Sequence, residues 1–317
     1  MKQFSEISSR VINAWEAGFW HNSHKKDVES GHFYIFDDDP VTEFYPEKMP
    51  MVLKQCADIG KFVPNENGRE WSFIVPGTRS GESDYEAKAY LMNEQYDEKL
   101  PTIIYHHPFG AYEDTDKHIR ALLFGKYIKE KKANVVYMRA PSHTDSESFE
   151  PRFRTLHGME YTLATSAALA AKMAETFREK SKQPMIAVGF SMGGMALSWA
   201  QLVFGKFDRT IPLVSSPDAA RAFITGGLGE VVSRDKVRSE MPVYVDAFAP
   251  IDGLHTEGIT PVIGKGDTLV LYREAKKYWK DIGVETYDTP FGHLSPIFAP
   301  KYLRWLIEGA IKGYAVE

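Results

Sequence analysis

The chain has 317 residues, 43% of them hydrophobic, enough to bury one large core. Its 38 basic and 43 acidic side chains give a formal net charge of -5 with no long basic run to neutralise a phosphate backbone, which excludes nucleic acid as an expected partner. The lone cysteine, Cys56, excludes an internal disulfide framework and a cysteine-rich metal site, and the absence of a bilayer-length apolar run or a signal-peptide core makes the chain read as cytoplasmic.

In chain order, residues 1–68 read as a helical N-terminal extension with loops, ahead of a main unit over 69–317. The aspartates of FDDDP, at 36–40, lack the alternating ligand spacing of a calcium loop and read as a solvated turn; His21, His24 and His32 read as surface residues. From Trp71 the rhythm changes: WSFIVPG and YEAKAYLM, joined by the turn residues TRSGESD, predict a hairpin. TIIYHHPFG is then a strand with an unusual tip, HIRALLFGKYIKEKK a helix, ANVVYMRAP a strand, and HGMEYTLATSAALAAKMAETFREK a long helix. MIAVGF, the helix after Ser191 and TIPLVSS continue the alternation, which predicts an α/β fold with parallel strands joined by crossover helices.

Gly189, Ser191 and Gly193 form a Gly-x-Ser-x-Gly pattern that random order would place roughly 0.1 times in a chain of this composition, so the pattern alone is weak. Its position between an apolar strand and a helix is what nucleophile chemistry needs, because a sharp turn there holds a serine hydroxyl out beyond the strand. A serine hydroxyl also needs a neighbouring base. His293 in TPFGHLSP stands between VETYD, read as the last strand, and KYLRWLIEGAIKGY, read as the closing helix, which puts it on a loop at the same edge. Asp267 in GKGD lies between Ser191 and His293 and equally suits a helix N-cap ahead of TLVLYREAKKYWKDIG.

His106 and His107 are adjacent, but alternate strand residues point to opposite faces and no carboxylate or cysteine pattern accompanies them, so no metal is expected. His143, His157 and His255 are open between lining the site and lying on the surface.

From about residue 70 to the C-terminus, the order of elements, with GFSMGG after the central strand, GKGD before a late helix and FGH near the end, resembles the α/β-hydrolase superfamily. The resemblance implies a mostly parallel sheet flanked by helices and a serine hydrolase with Ser191 as nucleophile, His293 as base and an aspartate as its partner. Two acids stay open: Asp267, and Asp252 in VYVDAFAPIDGLH, where a stronger strand pattern precedes the acid. The resemblance also implies an oxyanion hole of two backbone N–H groups, one from Met192 and one from the tip after TIIY. Pro108 has no N–H, which leaves Phe109 or His107 as the second donor. Residues 217–258 are either a small cap or a crossover insertion, and Phe109, Tyr112, Met192 and Phe223 are the apolar residues nearest the expected site. The expected activity is cleavage of a small carboxylic ester through an acyl-enzyme, without metal or organic cofactor. Peptidase, amidase or thioesterase chemistry is open to the same residues, and a non-catalytic binding protein of the same fold is the reading from another class.

Overall fold

The computed structural model describes residues 13, 14, 18, 47–111, 113–143, 152–227, 229 and 234–313; the expectations for FDDDP, His21, His24, His32 and Tyr112 lie outside them. Strands β1 (Lys61–Pro64), β2 (Glu70–Val75), β3 (Tyr85–Leu91), β4 (Thr102–His106), β5 (Asn134–Arg139), β6 (Met185–Phe190), β7 (Arg209–Leu213), β8 (Val262–Gly264) and β9 (Tyr287–Thr289) form one sheet. Its order is β1-β2-β3-β5-β4-β6-β7-β8-β9. The first three strands run antiparallel to one another, β3 pairs antiparallel with β5, and every pair from β5 through β4 to β9 is parallel.

The sequence pattern follows from what covers each strand. β4, β5 and β6 are buried at every position, as parallel strands sandwiched between helices must be. β2 and β3 alternate buried and half-exposed residues, because only one face of that hairpin is covered.

Eight helices complete the described fold: α1 (Met49–Ile59), α2 (Glu113–Lys129), α3 (Leu156–Lys180), α4 (Met192–Phe204), α5 (Ala219–Thr225), α6 (Arg234–Ala247), α7 (Tyr272–Asp281) and α8 (Pro300–Lys312). One core joins α1, α3 and α4 to one face of the sheet, and α3 offers a run of small buried residues there, among them Ala164, Ala167, Ala168 and Ala174. The core on the other face joins α2 and α8 through Leu123, Phe124, Leu303 and Leu306. Thr155 starts α3 by accepting the Gly158 N–H at 2.9 Å, and Gly205, in the left-handed region at φ 60°, ends α4. No helix among the described residues is long and apolar enough to cross a membrane.

Three local expectations change. β1 lies inside the segment expected to be helical and joins the sheet as its first strand. The helix expected directly after Asp267 begins only at Tyr272, because the Asp267 carboxylate takes the N–H groups of Leu269 and Val270 and folds that stretch into turns. VYVDA, read as a strand ahead of Asp252, is the last turn of α6. Tyr244, Ala247 and Phe248 are buried at helical spacing, so burial of that face overrides the β-propensity of the two valines.

Candidate active site

β6 runs straight into α4 with one residue, Ser191, between them. Ser191 holds φ 51° and ψ -117°, a conformation that costs a non-glycine residue roughly 1–3 kcal/mol and persists only where the surroundings enforce it. Two contacts enforce it: the Ser191 N–H donates to Leu213 O at 2.9 Å, and the Met195 N–H returns to Ser191 O at 3.0 Å to start α4. The flanking glycines are required sterically. A Cβ on Gly189 would overlap the Gly193 carbonyl, and one on Gly193 would overlap the carbonyl oxygens of His106 and His107. The loop leaving β4 therefore lies directly against the turn.

His293 arrives on the loop after β9, and its Nε2 is 2.8 Å from Ser191 Oγ. Its Nδ1 lies 2.9 and 3.1 Å from the two Asp267 carboxylate oxygens. An ionised carboxylate only accepts, so the ring proton sits on Nδ1 and the bare Nε2 lone pair accepts the serine hydroxyl. Asp267 Oδ1 also accepts the N–H groups of Leu269 at 2.8 Å and Val270 at 2.9 Å, so the N-cap role and the histidine-partner role read from the sequence belong to one carboxylate. Backbone bonds tie the two loops together: Gly266 N–H to Phe291 O at 2.9 Å and Lys265 N–H to Thr289 O at 2.8 Å. Ser191, Asp267 and His293 are all buried, at 7%, 5% and 4% exposed.

Asp252 is exposed in the turn after α6, while Asp267 fills the position at the imidazole. His255 is likewise exposed, beside the end of α4. His157 is held by Glu82 and Thr78 at 3.4 and 3.3 Å and belongs to the hairpin face.

His106, His107 and His143 are buried together behind the β4 tip, with ring centroids 4.8 Å apart for the first pair and 4.9 Å for His107 and His143. Burial is the main cause that pushes His106 and His143 down to about 4 and His107 well below the usual histidine range, so all three are neutral. His107 Nε2 accepts the Ala140 N–H at 3.0 Å, which puts its proton on Nδ1, 2.6 Å from Pro108 O. The ring thereby staples the β4 tip to the end of β5. Among the described residues no group of three or more His, Cys, Asp or Glu is arranged to hold a metal ion.

An aromatic wall stands beside this tip. Phe109 packs edge-on against Phe153 at 4.7 Å, Phe223 at 5.5 Å and His143 at 6.1 Å between ring centroids, and Phe223 comes from α5. Met192 and Phe223 belong to one apolar core, with Phe109 packed against it. Phe153 had no motif to announce it. The segment 217–258 supplies α5 and α6 on the way from β7 to β8. Asp218 caps α5 and pairs with Arg221, which reaches Glu274 of α7 at 2.8 Å, so α5 is braced against the helix that follows the Asp267 loop.

No protein-family model and no curated protein matches the sequence. Solved structures do resemble the fold. An esterase from Pyrococcus furiosus superposes with TM-score 0.52 at 16% identity, covering 82% of this chain and 95% of its own. Acetyl xylan esterase 1 from a Thermoanaerobacterium species gives 0.50 at 12% identity over 85% of this chain and 99% of its own. An acylaminoacyl peptidase from Pyrococcus horikoshii gives 0.52 at 15% identity over 82% of this chain and 44% of its own.

Proposed function

We propose that this chain, which has the α/β-hydrolase fold, is a serine hydrolase that cleaves carboxylic esters. The observation that carries the reading is the unbroken hydrogen-bond chain from Ser191 Oγ through His293 to Asp267, with the hydroxyl 2.8 Å from the ring nitrogen that must take its proton.

Ser191 Oγ attacks the ester carbonyl carbon as His293 Nε2 removes its proton, giving a tetrahedral oxyanion. Asp267 keeps the imidazole in the Nδ1-protonated tautomer and stabilises the imidazolium that forms. Collapse breaks the bond to the alkoxide, which leaves with the proton from His293 Nε2. Water then attacks the acyl-enzyme by the same route and the acid departs, restoring the serine.

The Met192 and Phe109 N–H groups are the proposed oxyanion donors, each worth about 3 kcal/mol of barrier. The close approach of the β4 loop to Gly193 supports this pairing, and the His107 ring staple supports a loop rigid enough for it. The wall of Phe109, Phe153 and Phe223 favours an uncharged, apolar substrate group.

Labelling with a fluorophosphonate tests the nucleophile: the wild-type protein is modified stoichiometrically and Ser191→Ala is not. A folded wild-type protein that stays unlabelled, or an alanine variant that labels equally, removes the proposal. A panel of alkyl esters of graded acyl length, aminoacyl amides and acyl thioesters then ranks leaving groups, and the esters turn over fastest.

A further inference from the structure

His293 lies within Pro290–Ser295, a stretch without strand or helix until the short 3-10 turn Ser295–Phe298. An imidazole that must meet a hydroxyl and a carboxylate at once needs its backbone fixed to a fraction of an ångström, and a bare loop does not supply that. Beside the backbone bonds to the acid loop, a residue distant in the sequence contributes to it. The Asn13 side chain donates from Nδ2 to Pro290 O at 3.3 Å, and its Oδ1 accepts the Ser295 hydroxyl at 3.0 Å. Ser295 Oγ in turn accepts the Gly292 N–H at 2.9 Å.

The orientation of the amide is determined by its neighbours. A carbonyl oxygen can only accept, so nitrogen faces Pro290; Ser295 Oγ already accepts from Gly292, so its own proton goes to Asn13 Oδ1. One planar amide thus bridges the two ends of the six-residue loop that carries His293.

The same amide lies over Gly266, the neighbour of Asp267, so closely that a Cβ on residue 266 would overlap it. Gly266 is itself bonded to Phe291 O through its N–H at 2.9 Å. Three segments meet at Asn13: the histidine loop at both ends and the backbone of the acid loop.

We infer that Asn13 is a positioning residue that clamps the Asp267 and His293 loops against each other and holds the imidazole in line between acid and serine. This rests on the hydrolase reading above. Asn13 acts through the loops and does not touch the reacting atoms. The residue type fits the task, since a short planar amide offers a donor and an acceptor at fixed separation. Leucine would offer neither, and aspartate would lose the donor to Pro290.

The test uses the full-length chain with Asn13→Ala, Ser295→Ala, the double variant and Gly266→Ala, each checked by circular dichroism and thermal melting. A displacement on the order of 1 Å in such a constellation lowers turnover by about 10- to 100-fold. Asn13→Ala therefore loses about that much in kcat on a p-nitrophenyl ester, with KM within about twofold and the fluorophosphonate rate constant falling in parallel. Since Asn13 and Ser295 act in one ring of bonds, the double variant is no slower than the worse single variant. Gly266→Ala, which displaces the amide without removing it, reproduces the kcat loss.

A wild-type kcat and labelling rate in folded Asn13→Ala overturn the inference while leaving the hydrolase reading in place. The same holds if activity falls only in proportion to the unfolded fraction, or if the two losses multiply in the double variant. A wild-type protein inert to both ester and fluorophosphonate overturns the hydrolase reading and this inference with it.

Discussion

The three buried histidines behind the β4 tip make the fold sensitive to mild acid. His106 and His143 titrate at about 4 in the folded chain against 6.5 when unfolded, mainly because burial penalises the charged ring. Between those values the unfolded chain binds protons that the native chain refuses, so the stability these groups contribute is complete above pH 6.5 and is lost as pH falls toward 4. Each gap corresponds to about 3 kcal/mol, lost at about 1.4 kcal/mol per pH unit. His107 is shifted in the same direction and adds to the loss.

Two buried carboxyls, Asp116 and Asp218, are raised by burial and oppose them. Asp116, which receives the Tyr105 hydroxyl at 3.0 Å and pairs with Arg120 at 2.9 Å, is raised by burial from 3.8 to about 6. Its native form keeps a proton in that window, so its contribution is complete below 3.8 and is lost as pH rises through 6, at about the same 1.4 kcal/mol per pH unit. His106 and His143 against Asp116 alone leave a net loss of about 4 kcal/mol between pH 6.5 and 4, to which His107 adds and from which Asp218 subtracts, a large share of the ~5–15 kcal/mol that stabilises a typical domain. Urea unfolding at half-unit steps from pH 7 to 4.5 measures the slope. Repeating it on His143→Gln removes one ring and its repulsion of His106 and His107, so the variant's slope is shallower by at least about 1.4 kcal/mol per pH unit. Equal slopes, or a wild-type midpoint that does not move below pH 6, refute the reasoning.

Asp267→Asn leaves a side chain that can still cap Leu269 and Val270 but no longer enforces the imidazole tautomer, so kcat on esters drops by about 10⁴ with little change in melting temperature. Asp252→Asn, at an exposed turn, leaves ester turnover within about twofold of wild type; an inverted result in this pair moves the acid role to Asp252. Gly193→Ala drives a methyl group into the carbonyls of His106 and His107 and lowers both stability, by more than about 1 kcal/mol in chemical denaturation, and fluorophosphonate labelling. A variant as stable and as reactive as wild type contradicts the packing described for the Ser191 turn.

Much of this architecture was legible in the sequence because the signals are local. Fully buried β4, β5 and β6 are short runs of branched and aromatic residues, and the Ser191 turn needs its glycines within two positions on either side. The failures are non-local or ambiguous in period. β1, KFVP, is too short to show an alternation and is a strand only because β2 pairs with it. VYVDA contains β-branched residues at strand-like spacing, yet Tyr244, Ala247 and Phe248 bury a helix face that only the completed core defines. The standing of Asp252 as a rival to Asp267 rested on that same strand reading. Asn13 meets Pro290 and Ser295 across 277 and 282 positions of sequence, and Phe153 joins the aromatic wall from a segment without any motif; no window of neighbouring residues encodes such contacts.

The strand order carries a consequence of its own. From β4 the chain passes through α2 to β5 on one side, whereas β6, on the other side of β4, continues into α4. Those two helices pack on opposite faces of the sheet, as the separate cores of Leu123 with Phe124 and of Leu197 with Trp199 record. The helices that follow β4 and β6 are therefore carried to opposite faces, which makes this end of the sheet a topological switch point, the place where open α/β sheets bind ligands. The switch point is a property of the winding and would persist through replacement of every side chain around it. Loops at that end could thus be exchanged to alter what is bound while the hydrogen-bonded strands beneath remain the same.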